Sequence, residues 1–215
     1  NNDLPFFRPT VHIVVADPHR PGHETSYHPG EANLRMGHII VINKVDTAIP
    51  ENVDAVERTA RRLNPEAVVI RANSPVTVDD PDAIAGKRVL VIEDGPTLTH
   101  GEMKYGAGVV AAKQHGAEVV DPREWAAGTL QDVYRLHRVG PVLPAMGYSP
   151  QQMAEMEETI DAVPCDVVVI ATPVDLTRVA RFSKPSVRVR YELEEAAGQP
   201  TLASILQERL AGPGG

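Results

Sequence analysis

His38-Ile39-Ile40-Val41-Ile42-Asn43-Lys44-Val45-Asp46 is the stretch on which the reading of this chain turns. Its first half is an apolar, β-branched run of strand length, and polar residues follow at once. An uninterrupted run of this kind marks a strand covered on both faces, as in parallel sheets. Val11-His12-Ile13-Val14-Val15-Ala16 before it and Ala67-Val68-Val69-Ile70 after it repeat the pattern. Between the second and third runs, Val53, Val56, Ala60 and Leu63 fall at helical spacing. Pro50 and first-turn acids suit the start of that helix, and Arg58, Arg61 and Arg62 near its end complement the helix dipole. Asn64-Pro65 stops it. Strands alternating with helices predict a largely parallel α/β sheet covered on both faces.

Further along, the stretch 74–86 is polar and rich in Pro and Asp, which predicts a boundary and two domains, 1–80 and 81–215. The second would hold strands at 87–92, 118–120 and 166–170, with helices near 108–115, 130–137, 150–161 and 202–210. Val187, Val189, Tyr191 and Leu193 alternate with charged partners, as expected of a half-exposed edge strand.

Composition narrows the function classes. A chain of 215 residues that is 42% hydrophobic can bury one good core or two smaller ones. A net charge of −8 with scattered acids repels phosphate backbones, so no nucleic-acid partner is expected. The apolar runs are too short to span a membrane. A single cysteine, Cys165, leaves no internal disulfide and suits a reducing, cytoplasmic setting. The chain opens on Asn1-Asn2-Asp3-Leu4-Pro5-Phe6-Phe7 with neither Met nor signal peptide, which reads as the middle of a loop and predicts a piece of a longer protein.

Ligands of parallel α/β proteins sit at the carboxyl ends of strands, where Asn43-Lys44-Val45-Asp46 falls. The spacing suits guanine. Asp46 can accept two hydrogen bonds from the ring N–H and exocyclic amine, the Lys44 stem can lie along the base, and Asn43 can tie neighbouring loops. Adenine would leave Asp46 unpaired. The alternative is a polar turn. A second base-contacting loop is expected at Arg71-Ala72-Asn73-Ser74, with Asn73 its candidate.

Asp17-Pro18-His19-Arg20-Pro21-Gly22-His23-Glu24 leaves the first strand in the same way. Arg20 is a candidate phosphate partner and His19 a candidate for proton transfer, with Asp17 and His23 on the substrate side. The spacing matches no established zinc pattern, so no metal ligand is assigned. An exposed polar loop is the alternative.

In the second unit, Glu93-Asp94-Gly95-Pro96-Thr97-Leu98-Thr99-His100-Gly101 runs on to Lys104-Tyr105-Gly106-Ala107-Gly108. Such a loop can present N–H groups to an anion. Thr97, Thr99 and Lys104 are candidate substrate contacts and His100 a candidate catalytic group, for a phosphorylated or carboxylated substrate; the alternative is a tight structural turn. The dinucleotide fingerprint spelled by Gly106-Ala107-Gly108-Val109-Val110-Ala111 is set aside because it lies a dozen residues past the strand. Asp175 reads as a helix cap.

Taken in order, these segments resemble the cyclic 2,3-diphosphoglycerate synthetase-like family of predicted P-loop GTPases, C-terminal half only. The resemblance also draws on Ser74-Pro75-Val76-Thr77-Val78-Asp79-Asp80, the Pro/Gly-rich stretch 140–148, which reads as a rigid loop, and Val187-Arg188-Val189-Arg190-Tyr191-Glu192-Leu193. It implies the C-terminal part of a P-loop NTPase domain followed by a Rossmann-like α/β unit, within a longer protein that carries its phosphate-binding loop upstream. It further implies GTP or ATP with Mg2+ as cofactors and a small phosphorylated metabolite as partner, with a homo-oligomer as a further option. The implied activity is NTP hydrolysis, or its use to close a phosphoanhydride in 2,3-diphosphoglycerate. Glu102, where a Gly is usual, and Gly37-His38, where Ala-Asp is usual, depart from the pattern. A nucleotide-gated switch and a non-catalytic phosphometabolite-binding domain are the competing functions. No Gly-x-x-x-x-Gly-Lys-Ser/Thr segment is present, so this stretch alone is expected to be inactive.

Overall fold

The structure is a computed structural model that describes residues 4, 6–100, 106–147 and 149–211, without the side chains of Pro96, Thr97 and His100. Along the chain run β1 (Ile13–Ala16), α1 (His23–Ser26), α2 (Gly30–Met36), β2 (Ile39–Ile42), α3 (Pro50–Leu63), β3 (Val68–Asn73) and β4 (Val76–Val78). They are followed by β5 (Arg88–Asp94), α4 (Gly95–His100), α5 (Ala107–Gln114), β6 (Glu118–Val119), α6 (Thr129–Leu136) and β7 (Leu143–Ala145). The last elements are α7 (Pro150–Ala162), β8 (Val167–Ala171), β9 (Ser186–Tyr191), β10 (Glu194–Glu195) and α8 (Leu202–Ala211). The α/β class predicted by the strand–helix alternation is what the chain forms, in two sheets whose strands are largely but not wholly parallel. No described helix is long and apolar enough to cross a membrane.

Two compact units emerge. The first joins the chain up to Pro75 with the chain from Glu192 onward; the second is Val76–Tyr191. In the first, the strand order is β1-β2-β3-β10. The first three strands are parallel, and β10 is antiparallel to β3. β2 is buried throughout. Ile40 and Ile42 face Leu34 of α2 and Val53, Val56, Ala60 and Leu63 of α3, while Ile39, Val41, Ile70 and Ala72 pack with Ile205 of α8. Each such side chain removed from water contributes about 1.5–3 kcal/mol, which is why an apolar run with no polar face settles in the sheet's middle.

In the second unit the order is β4-β9-β8-β5-β6, and β7 also pairs with β5. β6 pairs with the start of β5 and β7 with its end. Val109, Ala111 and Ala112 of α5 cover one face of β5 and β8, and Leu130 of α6 with Met153, Met156 and Ile160 of α7 covers the other. Pro150 is the first residue of α7, inside the Ser149–Gln152 capping box that starts the helix. Two expectations are corrected. β9 is no edge strand: it pairs with β8 on one side and β4 on the other. Its alternation reports coverage of one face, since Val187 and Val189 enter the core while Arg188 and Arg190 pair with Asp175 and Asp79. Residues 143–145, read as loop, form β7, because Pro144 sits where the strand is short and pairs on one side.

Candidate functional site

Because β1, β2 and β3 run parallel and in register, the residues that follow them emerge at one edge of the sheet. Asp17 follows β1. Its Oδ2 accepts from Lys44 Nζ at 2.9 Å and from Arg20 Nη2 at 3.1 Å, and its Oδ1 accepts from the His19 N–H at 3.0 Å. Burial raises the Asp17 pKa, but the Lys44 charge and hydrogen bond, the His19 N–H and the Arg20 charge outweigh it and hold the carboxyl below the usual aspartate range. His19 Nε2 lies 3.0 Å from Thr47 Oγ1, which ties the loop after β1 to the loop after β2.

The loop after β2 is pinned by backbone. The Asn43 N–H donates to Ala16 O and the Val45 N–H to Ala72 O, each at 3.0 Å, so it is stitched to both neighbouring strands. Lys44 between them has φ of 59°, the left-handed region that costs a residue with a Cβ about 1–2 kcal/mol. That conformation swings its stem toward Asp17. Asn43 Oδ1 is buried with no hydrogen-bond partner among the described residues. Asp46 is exposed, and its Oδ1 accepts only the Ser74 N–H, at 3.3 Å; no cation pairs with it among the described residues. Asn73 is half-buried at the end of β3, in register with Glu194.

Of the predicted site residues, the structure therefore gathers Asp17, His19, Arg20 and Lys44, with Asn43, Asp46 and Asn73 along the same edge. His23 opens α1, where its N–H donates to Arg20 O at 3.1 Å and its ring centroid lies 4.6 Å from that of Tyr27. Thr99 belongs to the second unit, where its hydroxyl donates to Gly95 O within α4. Lys104 lies outside the described residues, as do the side chains of Thr97 and His100.

Two features had no forecast. A cleft of about 460 Å³ opens beside the β2 loop, lined by Val45, Pro50 and Val53, by Arg71, and by the turn at Ala196, Ala197 and Gln199. Arg71 is held there by Asp54 and Glu57, each at 2.7 Å. No local signal could reveal this cleft, since one wall arrives from more than a hundred residues downstream. The second feature is Glu93, which is 3% exposed at the end of β5. Its Oε1 accepts from the Gly106 N–H at 3.0 Å and the Val109 N–H at 3.1 Å, so the start of α5 is already filled by a carboxylate of the chain itself. Burial pushes the Glu93 pKa up to about 7, against the N–H groups of Val109, Gly106 and Gly108, and the Asp94 charge adds to the rise. The signal was present: an acid inside an apolar strand, just before a Gly-rich loop.

The Asp17 carboxylate is already matched by two cationic side chains, and no group of three or more His, Cys, Asp or Glu converges among the described residues.

No family model matches the chain. It is 55% identical over 210 residues, 97% of its own length, to a curated protein named arginine synthetase ArcE from Thermococcus kodakarensis. The chain spans about half of that relative, 47% of its length. This match corrects the resemblance to the cyclic 2,3-diphosphoglycerate synthetase-like family, C-terminal half only. The protein that aligns along nearly the whole chain is named arginine synthetase, and the segments quoted for the resemblance are strands and strand-end loops, which report a scaffold more than a substrate.

Proposed function

We propose that this chain is the nucleotide-base-binding and substrate-side portion of a nucleotide-dependent synthetase whose product is of the arginine class. The observation that carries the reading is Asp46: an exposed carboxylate just past the end of a core strand, steadied by one backbone N–H and paired with no cation among the described residues. Its open acceptor positions suit the paired donors on a guanine edge, and Asn43 Oδ1 of the same loop has no partner among the described residues. The first unit is read here as a nucleotide-binding sheet of the P-loop NTPase kind, and the second as a Rossmann-like unit. Arg20 and Lys44 are the cations that reach an anionic group, exchanging Asp17 for it, with His19 placed for proton transfer. Thr99, in α4 of the second unit, is read here as a substrate-side residue. Synthetases join two molecules at the expense of a nucleoside triphosphate, and the relative's name supplies the amino-acid class of the product.

Calorimetry on this chain with GTP and ATP tests the base assignment. GTP binds more tightly, and Asp46→Asn erases the preference by 10- to 100-fold without changing the melting temperature, as expected for the loss of a paired hydrogen-bonding carboxylate. Equal affinity for both nucleotides in the parent chain overturns it.

A further inference from the structure

The cleft beside the β2 loop is walled by stretches that meet only in the folded first unit: the start of α3, β3, and the turn that follows β10. That turn is fastened to β3 at one residue. The Ala196 N–H donates to Arg71 O at 2.9 Å, and the Arg71 N–H donates to Gln199 Oε1 at 3.2 Å. The Gln199 N–H closes the turn on Ala196 O at 3.0 Å, around Gly198 at φ of 80°. At about 460 Å³ the cleft has the size of a small-molecule site, about 300–1,000 Å³. Its make-up is of that kind too: Val45, Pro50 and Val53 supply apolar wall, and Arg71 and Gln199 supply the polar groups.

Two residues before Arg71, Val69 packs into the apolar core under α3; Arg71 leaves the same face of β3 and carries a charge there. Its Nε donates to Glu57 Oε2 and its Nη2 to Asp54 Oδ1, each at 2.7 Å. Half-exposed pairs of this kind add little to stability, but they fix the plane of the guanidinium. Nη1 is left with its donors, and so is Gln199 Nε2: neither meets an acceptor among the described residues. On the other side of the ion pair, Asp54 is exposed, and its Oδ2 accepts nothing among the described residues. Donors for an anion, an acceptor for a cation and an apolar wall therefore adjoin one another. The charge of Arg71 is offset by Asp54 and Glu57, so the lining favours a ligand with no net charge. We infer that this cleft binds a free α-amino acid. Its carboxylate meets Arg71 Nη1 and Gln199 Nε2, its ammonium meets Asp54, and its side chain lies against Val45, Pro50 and Val53. A simple amine would leave the donors unpaired, and a simple carboxylate would sit beside Asp54 with nothing to offset it. The inference does not depend on the identity of the nucleotide.

The test follows the methyl resonances of Val45 and Val53 while free leucine, methionine, glutamine and arginine are titrated into this chain. At least one of the four is expected to shift both residues saturably. It should bind at least tenfold more tightly than its amide, which lacks the carboxylate, and than its desamino acid, which lacks the ammonium. Gln199→Glu keeps the oxygen that takes the Arg71 N–H and replaces the donor with a negative group. Asp54→Asn keeps an oxygen for Nη2 and removes the charge. Each is expected to weaken binding at least tenfold with the melting temperature unchanged, and Asp54→Asn, at an exposed position, serves if Gln199→Glu fails to fold. No saturable shift with any of the four, equal affinity for the amide or the desamino acid, or binding indifferent to both substitutions overturns the inference.

Discussion

Lys44 reaches from the end of β2 to Asp17 at the end of β1, with Nζ 2.9 Å from Oδ2, and it does so from a left-handed backbone at φ of 59°. Ion pair and backbone cost thus sit in one residue and can be separated. Lys44→Ala and Lys44→Gly both delete the pair, but only glycine is at ease at positive φ. Lys44→Gly should be more stable than Lys44→Ala by about 1 kcal/mol in urea denaturation. Equal stabilities would show that the loop relaxes once the lysine is gone. Nucleotide affinity should fall alike in both variants.

Glu93 and Asp17 give the stability–pH curve two limbs of opposite sign. Glu93 rises from 4.5 to about 7 on folding, so between those values the native state holds more protons than the unfolded chain. Stability therefore declines as pH rises from about 4.5 to 7, by on the order of 3 kcal/mol in total. Asp17 is depressed below 3.8, so its contribution is present above that value and lost as pH falls through the folded pKa. Glu93→Gln, which keeps an oxygen for the Gly106 and Val109 N–H groups, should flatten the upper limb and leave the acid limb in place. Denaturant midpoints at pH 5, 6, 7 and 8 check this; an unaltered slope between pH 5 and 7 counts against a protonated Glu93.

Gly108 lets α5 sit on the sheet. A Cβ there would come within 2.5 Å of Val91 Cγ1 and 2.8 Å of Ala171 Cβ, on two different strands. Gly108→Ala should cost about 1–3 kcal/mol from overpacking, although alanine favours the helix more than glycine does. Gly116 supplies the contrast. At φ of 66° with nothing within 4 Å, it pays for alanine only in backbone strain, about 1–2 kcal/mol. A helix-stabilising Gly108→Ala would mean that α5 does not pack this closely.

These residues show what the sequence can and cannot disclose. β2, α3, β5 and β8 are legible because burial on both faces, or helical spacing with caps, writes itself into consecutive residues. The cluster of Asp17 with Lys44 follows from strand-end placement alone, once the strands are known to be parallel. The return of residues 192–211 to the first unit is not legible. β10 is two residues long, α8 has modest amphipathic character, and its anchor Ile205 meets Ile39 and Ile70 across a separation that no window spans. α2 is hidden for another reason: Gly30 and Pro29 at its start are loop signals, and it is held instead by packing of Leu34 and by a clamp from outside the helix.

That clamp is Asn64, and its chemistry yields a sharp prediction. The two N–H groups of the side-chain amide Nδ2 are shared among Leu34 O at 2.9 Å, Arg35 O at 3.1 Å and Gly37 O at 2.8 Å, carbonyls at the end of α2, where Leu34 O also accepts the Gly37 N–H at 3.3 Å. Asn64→Ala removes the donor but admits water to a half-exposed site, at a cost of about 1–2 kcal/mol. Asn64→Asp nearly preserves the shape and points a carboxylate at three carbonyl oxygens. It should cost more than the alanine variant at pH 7, and it should recover part of that loss as the pH is lowered and the carboxyl gains a proton to donate. Thermal unfolding of the three proteins at pH 5 and pH 7 decides it: an aspartate variant at least as stable as alanine at pH 7 would show that α2 is held by Leu34 packing alone.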